Sequence, residues 1–128
     1  MGSFTDYLEN KLLEHTFKNT SFTSPTTVYV ALCTSTPTDS AAGTEVSGGS
    51  YARTAATFGA AASGSISNSG AVTFPTSTGS WGTVTHFEIW DASTAGNRLA
   101  WGALTSSQTI GTNNTPSFAI GQLTVTLD

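Results

Sequence analysis

Thr27-Val28-Tyr29-Val30-Ala31-Leu32-Cys33-Thr34 is the stretch on which the fold turns. Successive side chains of an extended chain point to opposite faces, so Val28, Val30 and Leu32 share one side and Tyr29, Ala31 and Cys33 the other. Apolar residues on both sides predict a central strand covered on both faces. Moving outward, β-branched and aromatic residues recur in short runs between clusters of Gly, Ser, Asn and Pro, the pattern of strands and turns. The runs are Tyr51 to Phe58, Ser65 to Ser67, Ala71 to Phe74, Thr83 to Trp90, Arg98 to Leu104, Gln108 to Ile110 and Gln122 to Leu127. In the last of them Leu123, Val125 and Leu127 form an apolar side and Thr124 and Thr126 a hydroxyl side, which predicts packing from one face. Asn68-Ser69-Gly70 and Ala95-Gly96-Asn97 offer residues that tolerate positive φ, and the second predicts a hairpin joining Thr83–Trp90 to Arg98–Leu104. The expected fold is mainly β, an antiparallel β-sandwich (jelly-roll or Ig-like) of about seven or eight short strands, in preference to a closed barrel.

Before this body the periodicity changes. Phe4, Leu8 and Leu12 recur every fourth residue with Tyr7 alongside, predicting one N-terminal amphipathic helix from Phe4 to Phe17. Ser3 and Asp6 suit its start as a variant capping box, and Asn19 suits its end. Glu14 and Lys18 are spaced to pair across one turn. Residues 1–20 thus read as a docking helix and 21–128 as the sandwich. Too short to be a stable isolated rod, the helix must lay its stripe on its own body, on a sister chain or on another protein. Phe4, Tyr7, Leu8 and Leu12 are therefore the candidate docking or oligomer-interface residues.

The 128 residues fit one domain, and only 9% of them are charged, while about a third are Ser or Thr. A formal charge of −4 lacks the basic footprint that binds nucleic acid or an anionic membrane. No apolar run approaches the ~20 residues of a spanning helix, and the polar, acidic start lacks the look of a secretory leader, so a soluble chain is expected. The lone Cys33 precludes an internal disulfide. The stretch from Thr36 to Ser50 reads as a long exposed loop able to carry contacts.

Chemistry has few footholds. His86 and Glu88, two apart in a strand, would share a face, but no Gly-rich turn presents a serine nucleophile, and a solvated polar pair is the plainer reading. Cys33 sits in the most apolar run, where a thiol stays protonated. Glu88 with Asp91, or Asp39 with Glu45, is too sparse for a metal, so neither catalytic residues nor a cofactor is expected. Arg53 and Arg98 suit salt bridges to Glu88, Asp91 or another chain more readily than anion capture. Trp81, Trp90, Trp101 and Tyr51, with Arg53 nearby, are candidates for a sugar-stacking or interface platform, although buried area in a chain poor in Leu and Ile falls to aromatics. Asn19-Thr20-Ser21 and Asn113-Asn114-Thr115 match the glycosylation triplet.

Several segments together resemble one family. They are Phe4-Thr5-Asp6-Tyr7-Leu8-Glu9-Asn10-Lys11-Leu12-Leu13, Val28-Tyr29-Val30-Ala31-Leu32, Ser47-Gly48-Gly49-Ser50-Tyr51-Ala52-Arg53, Val72-Thr73-Phe74-Pro75, Thr83-Val84-Thr85-His86-Phe87, and Gly102-Ala103-Leu104-Thr105 through to Leu123-Thr124-Val125-Thr126. The chain is similar across almost its whole length to small virion proteins of tailed bacteriophages, often labelled tail fibre or head fibre. Glu88-Ile89-Trp90-Asp91 is bulkier and more acidic than that pattern. The resemblance implies a non-enzymatic decoration (cement) or short fibre component of the virion, made in the bacterial cytoplasm. Its implied partners are copies of itself, with a trimer expected, and other structural proteins such as a major capsid or tail protein. The alternative is a carbohydrate-binding adhesin that recognises a host surface glycan. A surface of small hydroxyl residues suits crowding of copies, since little charge repels and little side-chain entropy is lost at contacts.

Overall fold

The computed structural model describes residues 2–127. Strand β1 (Gly2–Phe4) leads into helix α1 (Asp6–Phe17), followed by β2 (Val28–Cys33), β3 (Thr54–Ala56), β4 (Ser65–Ser67), β5 (Val72–Thr73), β6 (Gly82–Trp90), β7 (Arg98–Ile110), β8 (Ser117–Phe118) and β9 (Thr124–Thr126). The chain is mainly β with one N-terminal helix, as its residue pattern predicts. No helix among the described residues is long and apolar enough to cross a membrane.

The strands do not form two facing sheets. Seven of them make one mixed sheet in the order β3-β2-β6-β7-β1-β9-β4, and β5 and β8 make a separate ribbon. All pairs in the large sheet are antiparallel except β1 with β9. The sheet curls until its two edges touch: just beyond β3 and β4, Phe58 bridges Asn68, with Gly59 N–H donating to Ser67 O at 3.0 Å and Ser69 N–H to Thr57 O at 2.9 Å. The expected sandwich is therefore corrected to a curled half-barrel. Such curling covers edges that would otherwise template pairing with another chain.

The interior of the curl is the core. Val30 and Leu32 of β2, Val84, Phe87 and Ile89 of β6, Ala100 of β7 and Val125 of β9 pack there with Val72, Phe74, Trp81 and Leu123. Each large side chain so buried contributes about 1.5–3 kcal/mol. In β2, Val30 to Cys33 are all buried, as expected for a central strand. Phe118 of the ribbon lies edge-on to Phe74 and to Phe87, with centroids 6.2 Å apart in each pair. Apolar contact thus fastens the ribbon to the half-barrel.

The predicted hairpin forms: β6 pairs with β7 across Ala95 (φ 52°) and Gly96 (φ 81°). Gly96 is obligatory in a second sense, because a Cβ there would lie 2.5 Å from Asp91 Oδ1 and 2.7 Å from Ala92 Cβ. Asn68-Ser69-Gly70 is no hairpin turn. Asn68 is buried, and its amide donates to Gly70 O and Ala119 O and accepts from Leu123 N, tying the β4 end to the approach to β9. The runs Arg98–Leu104 and Gln108–Ile110 belong to one strand, β7, interrupted by a slip: Val84 pairs with Gln108 but His86 with Ala103. Leu104 to Ser107 bulge out opposite Thr85 as a result. The apolar side of the last run also departs from expectation, since Leu123 and Val125 are buried but Leu127, just past β9, is 52% exposed.

The helix begins later than its periodicity suggests. Gly2 to Phe4 pair with Gly102, Trp101 and Ala100 as a strand, so Phe4 belongs to β1 and not to α1. Thr5, not Ser3, is the N-cap: its hydroxyl accepts from Leu8 N–H at 3.4 Å while donating to Arg98 O at 2.7 Å. One threonine thus caps the helix and pins it to β7. At the other end Lys18 is the C-cap and Asn19 follows in the left-handed region (φ 56°), with Lys18 N–H and Thr20 N–H both reaching Glu14 O. Glu14 and Lys18 also pair, at 3.8 Å on an exposed face.

Candidate functional site

Strand alternation fixes which side chains share the outer face of the sheet. Phe87 and Ile89 point inward, so His86, Glu88 and Trp90 point out, next to Cys33, Ala31 and Tyr29 of β2 and Trp101 of β7. The loop expected between Thr36 and Ser50 does not hang free over this face. It lies across it as a strap, with Pro37 and Val46 buried, Glu45 bridging Cys33, and Val46 N–H bonded to Leu32 O at 3.0 Å.

Glu88 is the centre of that packing. Fully buried, it accepts from Gly43 N–H of the strap at 2.9 Å and from the Trp90 indole at 3.2 Å, and it faces Arg98 Nε at 3.7 Å. Arg98 in turn donates to Thr38 O of the strap, and its Nη1 has no partner among the described residues. A second ion pair closes the far end: Arg53 Nε and Nη2 grip the two oxygens of Glu45 at 3.0 and 2.9 Å, and Arg53 Nη1 reaches Ala92 O and Ala95 O of the hairpin turn. Tyr51 donates to Glu45 at 2.7 Å and accepts from Leu32 N–H at 3.0 Å. Planar, five-donor arginines suit such multiply bonded positions. Arg98 thus pairs with Glu88 as its sequence position favoured, whereas Arg53 takes Glu45 in place of the expected Glu88, Asp91 or another chain.

Each aromatic candidate has a place in this clasp. Trp81 is buried, with its N–H on Gly49 O at 2.8 Å and its ring edge-on to Tyr51 at 5.3 Å. Trp90 is half-buried beneath the Arg53 guanidinium, 4.0 Å from its ring centre. Trp101 donates to Asp39 of the strap at 2.8 Å and tilts against His86. The indoles of Trp81 and Trp101 thus both hold the strap.

His86, Glu88 and Cys33 do lie on one face, with Cys33 paired opposite His86. The arrangement is sealed, because Cys33 and Glu88 are each 0% exposed and Gly43 of the strap sits against Cys33. Burial first, and the neighbouring Glu88 carboxylate second, push the thiol far above its ordinary range, so it stays protonated. His86 Nδ1 is taken up by the Thr85 hydroxyl at 2.8 Å. Burial, then the bond to Glu45, likewise raise Tyr51. Among the described residues no three His, Cys, Asp or Glu side chains gather where a metal could sit.

The candidate docking residues divide between the body and the surface. Phe4 packs against the core from β1, and Leu8 joins it at an apolar mouth of about 480 Å³, lined also by Val28, Phe58, Ile66 and Val125. Tyr7 and Leu12 are half-buried, Tyr7 with the Lys11 ammonium 5.7 Å above its ring. No helix residue is fully buried. Leu13 and Phe17, which the four-residue stripe omits, are 56% and 82% exposed. They are spaced one turn apart on the side that the sheet leaves uncovered, a signal readable in the sequence only once the inward stripe is known.

A family model described as podophage GP4 fiber I protein gp80 matches residues 3–126. No curated protein matches the chain.

Proposed function

The chain belongs to the podophage GP4 fiber I protein family, and from that premise we propose that it is a non-enzymatic, surface-exposed short fibre component of the virion that acts through protein–protein contacts. Membership in a fibre family supports a structural role on the particle. The observation that carries the attachment reading is the helix: tethered at its start by β1 and Thr5, it buries none of its residues fully and leaves Leu13 and Phe17 in solvent. Large apolar side chains adjacent on one helix face are anchors of the kind that sit in a partner's groove. The occupant of the other side of that contact is another structural protein of the particle, a capsid or tail protein, and the body projects outward as a homo-oligomer, a trimer by preference. Charge-poor hydroxyl surfaces let such copies crowd.

Quantitative mass spectrometry of purified particles, with light scattering of the isolated chain, tests this reading. A few tens of copies or fewer, together with a trimer in solution, are expected of a fibre. Hundreds of copies would move the protein to a decoration role on the shell, and absence from particles would end the proposal.

A further inference from the structure

The bulge in β7 opens a second cleft, of about 500 Å³, on a different part of the molecule from the strap and the helix. Its walls are the bulge with Gln108 on one side and the segment from Asn114 to Ser117 on the other, and its floor is made by Phe87 and Phe118, whose rings meet at 70°. The size falls in the range of small-molecule sites, roughly 300–1,000 Å³. No lining residue carries a charge, and hydroxyls and side-chain amides dominate the walls. That composition selects by exclusion as well as by fit. Phosphates, carboxylates and amines find no counter-charge to offset the water they would lose, whereas a ring of hydroxyl groups can exchange hydrogen bonds with water for bonds to Thr, Ser, Asn and Gln. Phe118, half-buried at the floor, offers an apolar surface to the C–H face of such a ring.

We propose that this cleft binds one residue of a neutral saccharide, with Gln108 and Asn114 supplying hydrogen bonds and Phe118 the stacking surface. No tryptophan lines this site. Its chemistry stands apart from the fibre assignment, and only the choice of bacterial polysaccharides as probes rests on that reading.

The test uses the full chain in two arms: nuclear magnetic resonance titration with free neutral hexoses and N-acetylhexosamines, and an array of neutral and uronic-acid-containing bacterial polysaccharides. Neutral saccharides should shift the side-chain amide signals of Gln108 and Asn114. The double variant Gln108→Ala, Asn114→Ala, both exposed positions whose loss leaves the fold intact, should bind at least tenfold more weakly. Gln108→Glu, which puts a charge in the cleft, should do the same. Binding in either arm that follows this pattern supports the proposal, whatever the copy number on particles. It is overturned if no neutral saccharide moves those amides, if only charged polysaccharides bind, or if the double variant binds with unchanged affinity.

Discussion

The guanidinium of Arg53 lies 4.0 Å from the centre of the Trp90 ring while it grips both carboxylate oxygens of Glu45. One side chain thereby joins the strap, the sheet and the hairpin turn. Its planar fork bonds two carboxylate oxygens and two carbonyls while it stacks on the ring, a set that an ammonium cannot meet at once, so lysine is no substitute.

Arg53→Lys should therefore destabilise the protein by about 1–3 kcal/mol, lowering the thermal midpoint by several degrees. The side chain is only 9% exposed, which keeps the pair from being discounted as a surface ion pair. Calorimetry of the variant checks this, and a midpoint equal to that of the native chain would show that the strap is held by its apolar contacts alone.

Removing Glu88 leaves Arg98 buried without its counter-charge, so Glu88→Leu should cost about 3–5 kcal/mol. The double variant Glu88→Leu, Arg98→Met should lose less than Glu88→Leu alone, since no orphan charge remains. Urea unfolding of Glu88→Leu, Arg98→Met and the double variant measures the coupling, and additive losses would refute it.

Cys33 gives the protein an alkaline limit. Its folded pKa stands above the ordinary 9.0, so the unfolded chain releases the thiol proton first as pH rises. The stabilisation is whole below pH 9.0 and declines above it, by about 1.4 kcal/mol per pH unit for this one group. Tyr51, raised from 10.0, adds to the decline in the same direction at higher pH. Cys33→Ala should flatten the alkaline limb of a stability profile. In the native chain a thiol reagent should modify Cys33 only as fast as the protein opens, and rapid labelling near neutral pH would contradict the burial.

Gly96→Ala places a Cβ against Asp91 and Ala92 at a positive φ, so it should cost more than about 1 kcal/mol and loosen the β6–β7 turn. Gly48→Ala, also at positive φ but with open space around it, isolates the backbone strain from the clash. Denaturant midpoints of the two variants should differ, with Gly96→Ala the weaker.

Leu13→Ser with Phe17→Ser should leave stability within about 0.5 kcal/mol, because these side chains touch little of their own body. The same variant should fail to enter particles in a complementation assay. Normal incorporation would remove the helix from the attachment role.

Local chemistry was enough to read most strands, the β6–β7 hairpin at Ala95-Gly96, the central place of β2 and the family, because alternation, turn residues and burial of a doubly apolar run act over a few residues. Tertiary structure decided the rest. Gly2-Ser3-Phe4 carries no strand signal and is extended only because β7 and β9 accept it, and β8 is two residues held by β5. The curl of the sheet depends on Phe58 meeting Asn68, and the fate of Trp81 and Trp101 depends on a strap whose own sequence reads as loose loop. Alternation tells which face of a strand a side chain takes, but partners distant in the chain decide what covers that face, and no local period encodes them.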